Sequence, residues 1–205
     1  MGNMVKEDRL FLKKILSFVH LAEKLKIEHR NGHTSEDTNE SVADHCWRVG
    51  LMVILLSPYL DKKIGLEKTI KMALIHDLAE IITGDSPYFL YEGNQVMAQE
   101  KHEKEYAAMK SLIGELPADV GKEIIDLWSE FEEQSSYEAR FVLALDKMEA
   151  QIQHNEAPIH NWNDYDLEYA DTLLDKYCDF DNFLSTFKKL VQEESLNKIA
   201  ADISR

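Results

Sequence analysis

The run Leu-Ile-His-Asp-Leu-Ala-Glu-Ile-Ile-Thr-Gly-Asp at positions 74–85 constrains the fold more than any other stretch. It sets chemically capable polar side chains inside an apolar helical pattern. Ile70, Leu74, Leu78 and Ile81 share one helical stripe, and Ile75, Ala79 and Ile82 share another. This spacing predicts a helix over 66–82 that is buried in the middle of a bundle. A buried His76–Asp77 pair followed by Glu80 is costly unless something compensates it. A divalent cation would do so, because neutral imidazole and carboxylate are both good ligands. His76 and Glu80 are one helical turn apart and point the same way. Gly84 is expected to end the helix in a left-handed cap, with Asp85 just beyond it. A lone His-Asp dipeptide is more often a surface pair, so the reading depends on partners from elsewhere in the chain.

The rest of the sequence is compatible with a bundle. Only 8 glycines and 4 prolines interrupt the 205 residues, and Leu, Ala, Glu and Lys are plentiful. An all-α protein is expected. One domain over 1–205 accounts for the length, with a core over about 10–150 and C-terminal helices over about 164–200 packed on it. A net charge of −15 argues against a nucleic-acid partner and against an anionic membrane surface. It leaves room for a small phosphate substrate, whose local field can be set by one cation and one Arg. Cys46 and Cys178 form no disulfide framework, and a reduced, cytoplasmic setting fits them best. The first ten residues are too charged for a secretory signal, and the apolar run 51–56 is too short to span a bilayer.

Read in order, residues 8–28 form an amphipathic helix with Leu12, Ile15, Leu16, Val19, Ala22 and Leu25 on its apolar side. Residues 30–39 are turn formers and read as a long polar loop. Ser41 caps a helix over 42–56, with Asp44 in the capping-box position. Val42, His45, Val49 and Met52 share a face of that helix, so His45 points inward. Arg48 reads as a helix-stabilising partner of Asp44 or Glu40. Tyr88, Phe89 and Tyr91 lie in a loop, where packing is favoured over a lid. Charged helices follow over 96–116 and from Pro117 to about 131. A further helix starts at Ser135 or Ser136, where Asp146 interrupts a solid apolar run and needs a partner. Lys147 is as suited to pairing with Asp146 as to neutralising a metal ligand. Residues 151–163 read as a loop, 164–190 as one helix or two, and 192–205 as a polar end that frays.

The inward polar groups His45, His76, Asp77 and Asp146 come from three separate helices. Two imidazoles and two carboxylates complete a mononuclear metal shell with room for water. The order His, His-Asp, Asp resembles that of the HD-domain metal-dependent phosphohydrolases, most closely their 5'-deoxynucleotidase branch. The resemblance rests on Glu40-Ser41-Val42-Ala43-Asp44-His45, on His76-Asp77-Leu78-Ala79-Glu80 with Thr83-Gly84-Asp85, and on Asp146-Lys147-Met148-Glu149. It implies a helical HD bundle, often dimeric. It further implies that His45, His76, Asp77 and Asp146 ligate the metal. Glu80 and Asp85 then serve as the acid/base and substrate-positioning pair, and Arg30 grips the substrate phosphate. One departure stands beside Arg30: the bacterial nucleotidases have Trp where this chain has Asn31. His102, His154 and His160 fit no two-metal pattern, and the GYP extension is absent.

The expected reaction is metal-dependent release of phosphate from nucleoside or deoxynucleoside 5'-monophosphates by a homodimer. Hydrolysis of triphosphates or of another small phosphate ester is an alternative. A metal- and nucleotide-binding regulatory module is a second, of another class. His₂Asp₂ suits Mn, Co, Fe, Ni, Zn or, less well, Mg.

Overall fold

The computed structural model describes residues 2–91 and 93–204, with side chains from residue 8 onward. The architecture is all-α with one small hairpin. Helix α1 (Gly2–Ala22) runs into a 3-10 turn at Glu23–Lys26. Strands β1 (His29–His33) and β2 (Asn39–Ser41) then pair antiparallel, His29 opposite Ser41 and His33 opposite Asn39. The expected polar loop at 30–39 is therefore a hairpin. Its turn is closed by Thr34 N–H on the Thr38 carbonyl at 2.7 Å and by their paired hydroxyls at 2.8 Å. That closure uses the turn formers the loop reading had noted, but the two short strands carry no alternating apolar pattern.

Helix α2 (Val42–Leu56) begins with the expected capping box: Asp44 N–H donates to Ser41 Oγ, and Ser41 N–H donates to Asp44. It packs against α3 (Leu66–Ile75) and α7 (Tyr137–Glu156), between which the larger apolar core is built. Val49, Val53, Met72, Phe141, Val142, Leu145 and Met148 are fully buried there, each worth about 1.5–3 kcal/mol of burial. The smaller core joins Val42, Cys46, Leu78, Ile81, Met109, Leu112 and Trp128. It lies between α2, α4 (Glu80–Thr83), α5 (Gln95–Gly114) and α6 (Ala118–Glu132). The chain ends with α8 (Asp164–Tyr169), α9 (Asp175–Cys178) and α10 (Asn182–Ile203), the last packed on α7.

Several expectations are corrected. The predicted helix over 66–82 stops at Ile75, and α4 is a separate four-residue piece. Between them the backbone tightens to three-residue hydrogen bonds: Leu78 to Ile75, Glu80 to Asp77, Ile81 to Leu78 and Ile82 to Ala79. Leu74 and Ile82 are about half exposed, so neither apolar stripe is wholly internal. Most of the α1 stripe is exposed too, at Leu12, Leu16 and Val19. The loop expected over 151–163 is helical to Glu156, because α7 carries its buried face on through Gln151 and Gln153. The end over 192–205 does not fray: α10 reaches Ile203, with Gln192 and Ser195 buried against its neighbours; Arg205 lies outside the described residues. Gly84 does take a positive φ, 72°, but its ψ of 162° is extended rather than left-handed helical. A side chain there would be strained and would come within 3.2 Å of Glu28.

Candidate active site

The break between α3 and α4 forms the site. His76 closes α3, and its Nδ1 lies 2.9 Å from the Ala73 carbonyl. A ring nitrogen held on a carbonyl is the N–H donor, which leaves Nε2 as the lone-pair nitrogen facing away. The His76 carbonyl, freed by the break, accepts from Trp128 Nε1 at 3.1 Å. The turn that follows swings Asp77 back toward α2.

His45, fully buried on α2, aims its own Nε2 at the same point. That nitrogen is 3.1 Å from Asp146 Oδ1 and 3.7 Å from Asp77 Oδ2. His76 Nε2 is 3.3 Å from Asp77 Oδ2 and 3.9 Å from Asp146 Oδ1. One donor atom each from His45, His76 and Asp146 lies within 4.8 Å of the others. Both Nε2 atoms are buried and, among the described residues, have no hydrogen-bond partner. Two lone pairs left unsatisfied against two carboxylates are unfavourable for a protein alone and suit a divalent cation. The structure thus brings His45, His76, Asp77 and Asp146 together, as the metal reading requires.

His76, Asp77 and Asp146 line one wall of a cavity of about 500 Å³, with His45 buried behind them. Arg30 on β1 reaches it and lies 3.4 Å from Asp77 Oδ2 and 3.4 Å from Glu40 Oε2. Both contacts are long for charged partners, so the guanidinium is held in place without its donors being used up. Burial works against its charge, but Asp77, Asp146 and Asp85 raise its pKa further still. Glu80, the first residue of α4, and Asp85, just past its end, both line the cavity. Burial, then Asp77 and Asp85, raise the Glu80 carboxyl to about 10. Glu80 Oε2 is also buried without a hydrogen-bond partner among the described residues. Burial raises Asp85 as well, against the pull of Arg30. Asp146 goes the other way: burial opposes its charge, but Lys147, 2.9 Å away, and His45 hold its carboxyl well below the usual range.

The remaining wall is aromatic. Tyr88 and Phe89 follow Asp85, and Tyr165 and Tyr177 come from α8 and α9. Phe89 and Tyr165 have ring centroids 5.9 Å apart, and Lys147 Nζ stands 5.1 Å over the Tyr88 ring. The loop aromatics therefore pack, as expected, and in packing they line the cavity. His102 and His154 also line it, outside the metal cluster, while His160 meets Asp37 at the surface. Lys147 pairs with Asp146 and faces the cavity at once, so its two readings are one.

Sequence reasoning missed three side chains. Arg48 does not pair with Asp44 or Glu40. It spans to α7, where it donates to Glu149, Gln153 and Glu156. Glu149 is wholly buried; its place three residues after Asp146, on the same face, was the available signal. Lys101 on α5 lines the cavity, held charged by Glu105 and Glu80 against burial.

Comparison with known proteins gives a consistent picture. The family model for the HD domain matches residues 22–187. The chain is 36% identical over 146 residues to human 5'-deoxynucleotidase HDDC2, covering 70% of this chain and 68% of that one. Saccharomyces cerevisiae 5'-deoxynucleotidase YGK1 is 33% identical over 144 residues, 67% of this chain and 64% of that one. Among solved structures, a predicted metal-dependent phosphohydrolase from Magnetospirillum magnetotacticum superposes with a TM-score of 0.76 at 27% identity, covering 92% of this chain and 97% of that one. The PH0347 protein of Pyrococcus horikoshii superposes with a TM-score of 0.62 at 27% identity, covering 87% and 99%.

Proposed function

The chain belongs to the HD-domain family of metal-dependent phosphohydrolases, and from that premise we propose that it removes phosphate from nucleoside 5'-monophosphates, deoxynucleotides foremost. The observation that carries the reading is the pair of unpartnered Nε2 atoms of His45 and His76, converging beside Asp146 on a cavity that Arg30 overlooks. His45, His76, Asp77 and Asp146 would hold one divalent ion, of the Mn, Co, Fe, Ni, Zn or Mg class. When bound, such an ion polarises the phosphate ester and makes water acidic enough to attack near neutral pH.

The chain's own groups do the rest. Arg30 grips the phosphate and offsets the charge that builds as the ester breaks. Glu80 Oε2 carries the proton. Burial and its acidic neighbours raise that carboxyl to about 10, and positive charge held beside it would lower it again, so the group can both take a proton and return it. Asp85 orients the attacking water or a sugar hydroxyl. The aromatic wall of Tyr88, Phe89, Tyr165 and Tyr177 is suited to the face of a base. Asn31 also lines the cavity, where a small side chain leaves room beside Arg30, and triphosphate hydrolysis is the second reading on that ground.

The same reading places a single HD domain over residues 1–205, acting in the cytoplasm as a homodimer. The dimer is supported by apolar side chains left exposed on two helices: Leu12, Leu16 and Val19 on α1, and Trp47, Leu51 and Ile54 on α2. A reduced compartment suits Cys46 and Cys178, which are free and buried. Among the described residues no helix is long and apolar enough to cross a membrane.

The test is phosphate release from ribo- and deoxyribonucleoside mono- and triphosphates, using protein stripped of metal and resupplied with Mn, Co, Ni, Zn or Mg in turn. Metal-dependent release confined to 5'-monophosphates is expected. Release from triphosphates instead would favour the second reading, and silence on every nucleotide would overturn both.

A further inference from the structure

Glu149 is a carboxylate with no exposed surface, one turn beyond Asp146 on α7. Its Oε2 is hydrogen-bonded to His45 Nδ1, and its Oε1 accepts from Arg48 Nε at 2.6 Å. Each carboxylate oxygen thus faces a ring or guanidinium nitrogen, and an oxygen so placed accepts, which makes Nδ1 of His45 the donor. The lone pair of that ring then falls on Nε2, the atom that meets Asp146 and Asp77.

The network continues. Arg48 Nη2 donates to Gln153 Oε1 at 2.5 Å, and Gln153 Nε2 donates to the backbone carbonyl of His33 at 2.5 Å. His33 ends β1, the strand that carries Arg30. A continuous set of hydrogen bonds therefore runs from His45, behind the cavity wall, through Glu149, Arg48 and Gln153 to the strand bearing Arg30. Such a buried chain is costly if half satisfied and stiff when complete.

We propose that Glu149 is the positioning residue for His45, and that Arg48 and Gln153 carry its constraint into the hairpin, so that the His45 ring and the Arg30 strand are held as one unit. The inference rests on the metal reading of the site but not on the identity of the substrate.

Its tests need no turnover. In zinc-loaded protein, ¹H–¹⁵N spectra of the histidine rings are expected to show His45 bound to the ion through Nε2, with its Nδ1 proton shielded from exchange. Binding through Nδ1, or a freely exchanging Nδ1 proton, overturns the assignment, and this measurement uses the unaltered chain. Titration with Mn²⁺, followed by the resonance of the free ion, is expected to show affinity about 10- to 100-fold weaker in Glu149→Leu. Glu149→Gln, which keeps an acceptor for Nδ1, should recover part of that loss. Unchanged affinity in folded Glu149→Leu overturns the positioning role. Hydrogen–deuterium exchange over residues 29–41 tests the second half. Mn²⁺ is expected to slow exchange there in the wild type and to lose most of that effect in Gln153→Leu. Protection that survives Gln153→Leu, or is absent from the wild type, overturns the link to the hairpin. Failure of the nucleotidase assay would leave all three results standing.

Discussion

In the proposed reaction, Glu80 and Arg30 divide the chemistry of the cavity between a proton carrier and a fixed positive charge. Removing only the proton-carrying ability, by Glu80→Gln, is expected to lower kcat about 10²- to 10⁴-fold while Mn²⁺ affinity stays near that of the wild type. Steady-state kinetics beside a metal titration separates the two. Arg30→Lys keeps the charge but loses the planar fork, so KM for a 5'-monophosphate should rise about tenfold or more, in line with about 1.5–3 kcal/mol for a charged hydrogen bond. A KM that does not move would shift the phosphate grip to Lys101 or Lys147, the other cations that line the cavity. At this scale much of the site was legible. His45, Asp77 and Asp146 stood out as polar residues on apolar helical faces, where burial forces a partner. Glu149 stood on the same face as Asp146, but its partners His45 and Arg48 lie 104 and 101 residues away. No local spacing reports a pairing of that reach.

At the scale of the element, the break after Ile75 governs the site. Nothing in residues 66–82 stops a helix locally; no Gly or Pro falls between Leu66 and Ile82. The break is held from outside by Trp128, which takes up the His76 carbonyl, and from within by the His76 ring on the Ala73 carbonyl. Tertiary contacts override propensity here, so the sequence alone reads one helix where the fold has two. Caps, being local, were easier to read: Ser41 and Ser136 both accept from the first turn of their helices. A cap that sequence reading passed over is Asp181 at the start of α10, a buried carboxylate accepting from Leu184 N at 3.0 Å, from Asp61 N at 2.8 Å and from the Tyr137 hydroxyl. Burial opposes its charge, but Tyr137 and the amides outweigh burial and hold its carboxyl below the usual range. A depressed carboxyl contributes stability above its unfolded pKa of about 3.9 and loses it as pH falls through the folded value. Asp181→Asn should therefore destabilise the protein by about 1–2 kcal/mol at pH 7. Urea unfolding should show that gap closing below about pH 4. A gap that is constant with pH would mean that the charge contributes nothing and only the shape of the cap matters.

Across the whole molecule, composition and periodicity were enough for the fold class, because few glycines and prolines and a sustained helical repeat leave little else to build. They did not tell which apolar faces are covered. The stripe of α1 reads as core, yet Leu12 and Val19 are 62% and 60% exposed, as is Trp47 of α2 at 64%. A periodic pattern records that a face is apolar and not whether its cover comes from the same chain. A second copy is the expected cover. Light scattering should report twice the 23.7 kDa chain mass, and Trp47→Glu with Leu51→Glu should return a folded monomer. A monomeric wild type at micromolar concentration would remove the dimer reading.

The cavity has walls of two different kinds. On the proposed reading, residues 76–85 supply ligand, proton carrier and orienting carboxylate within one tightly turned segment, so a change of shape there would disturb all three at once. Gly84 leaves that segment little freedom to take a larger residue. The facing wall is assembled from a short loop turn and from α8 and α9, pieces of a few residues each. Their aromatic side chains can be exchanged without touching the groups that break the ester. Such a division makes the reaction hard to lose and the choice of substrate easy to retune, so a library randomised at Phe89 and Tyr165 is the economical route to a phosphohydrolase with a new preference.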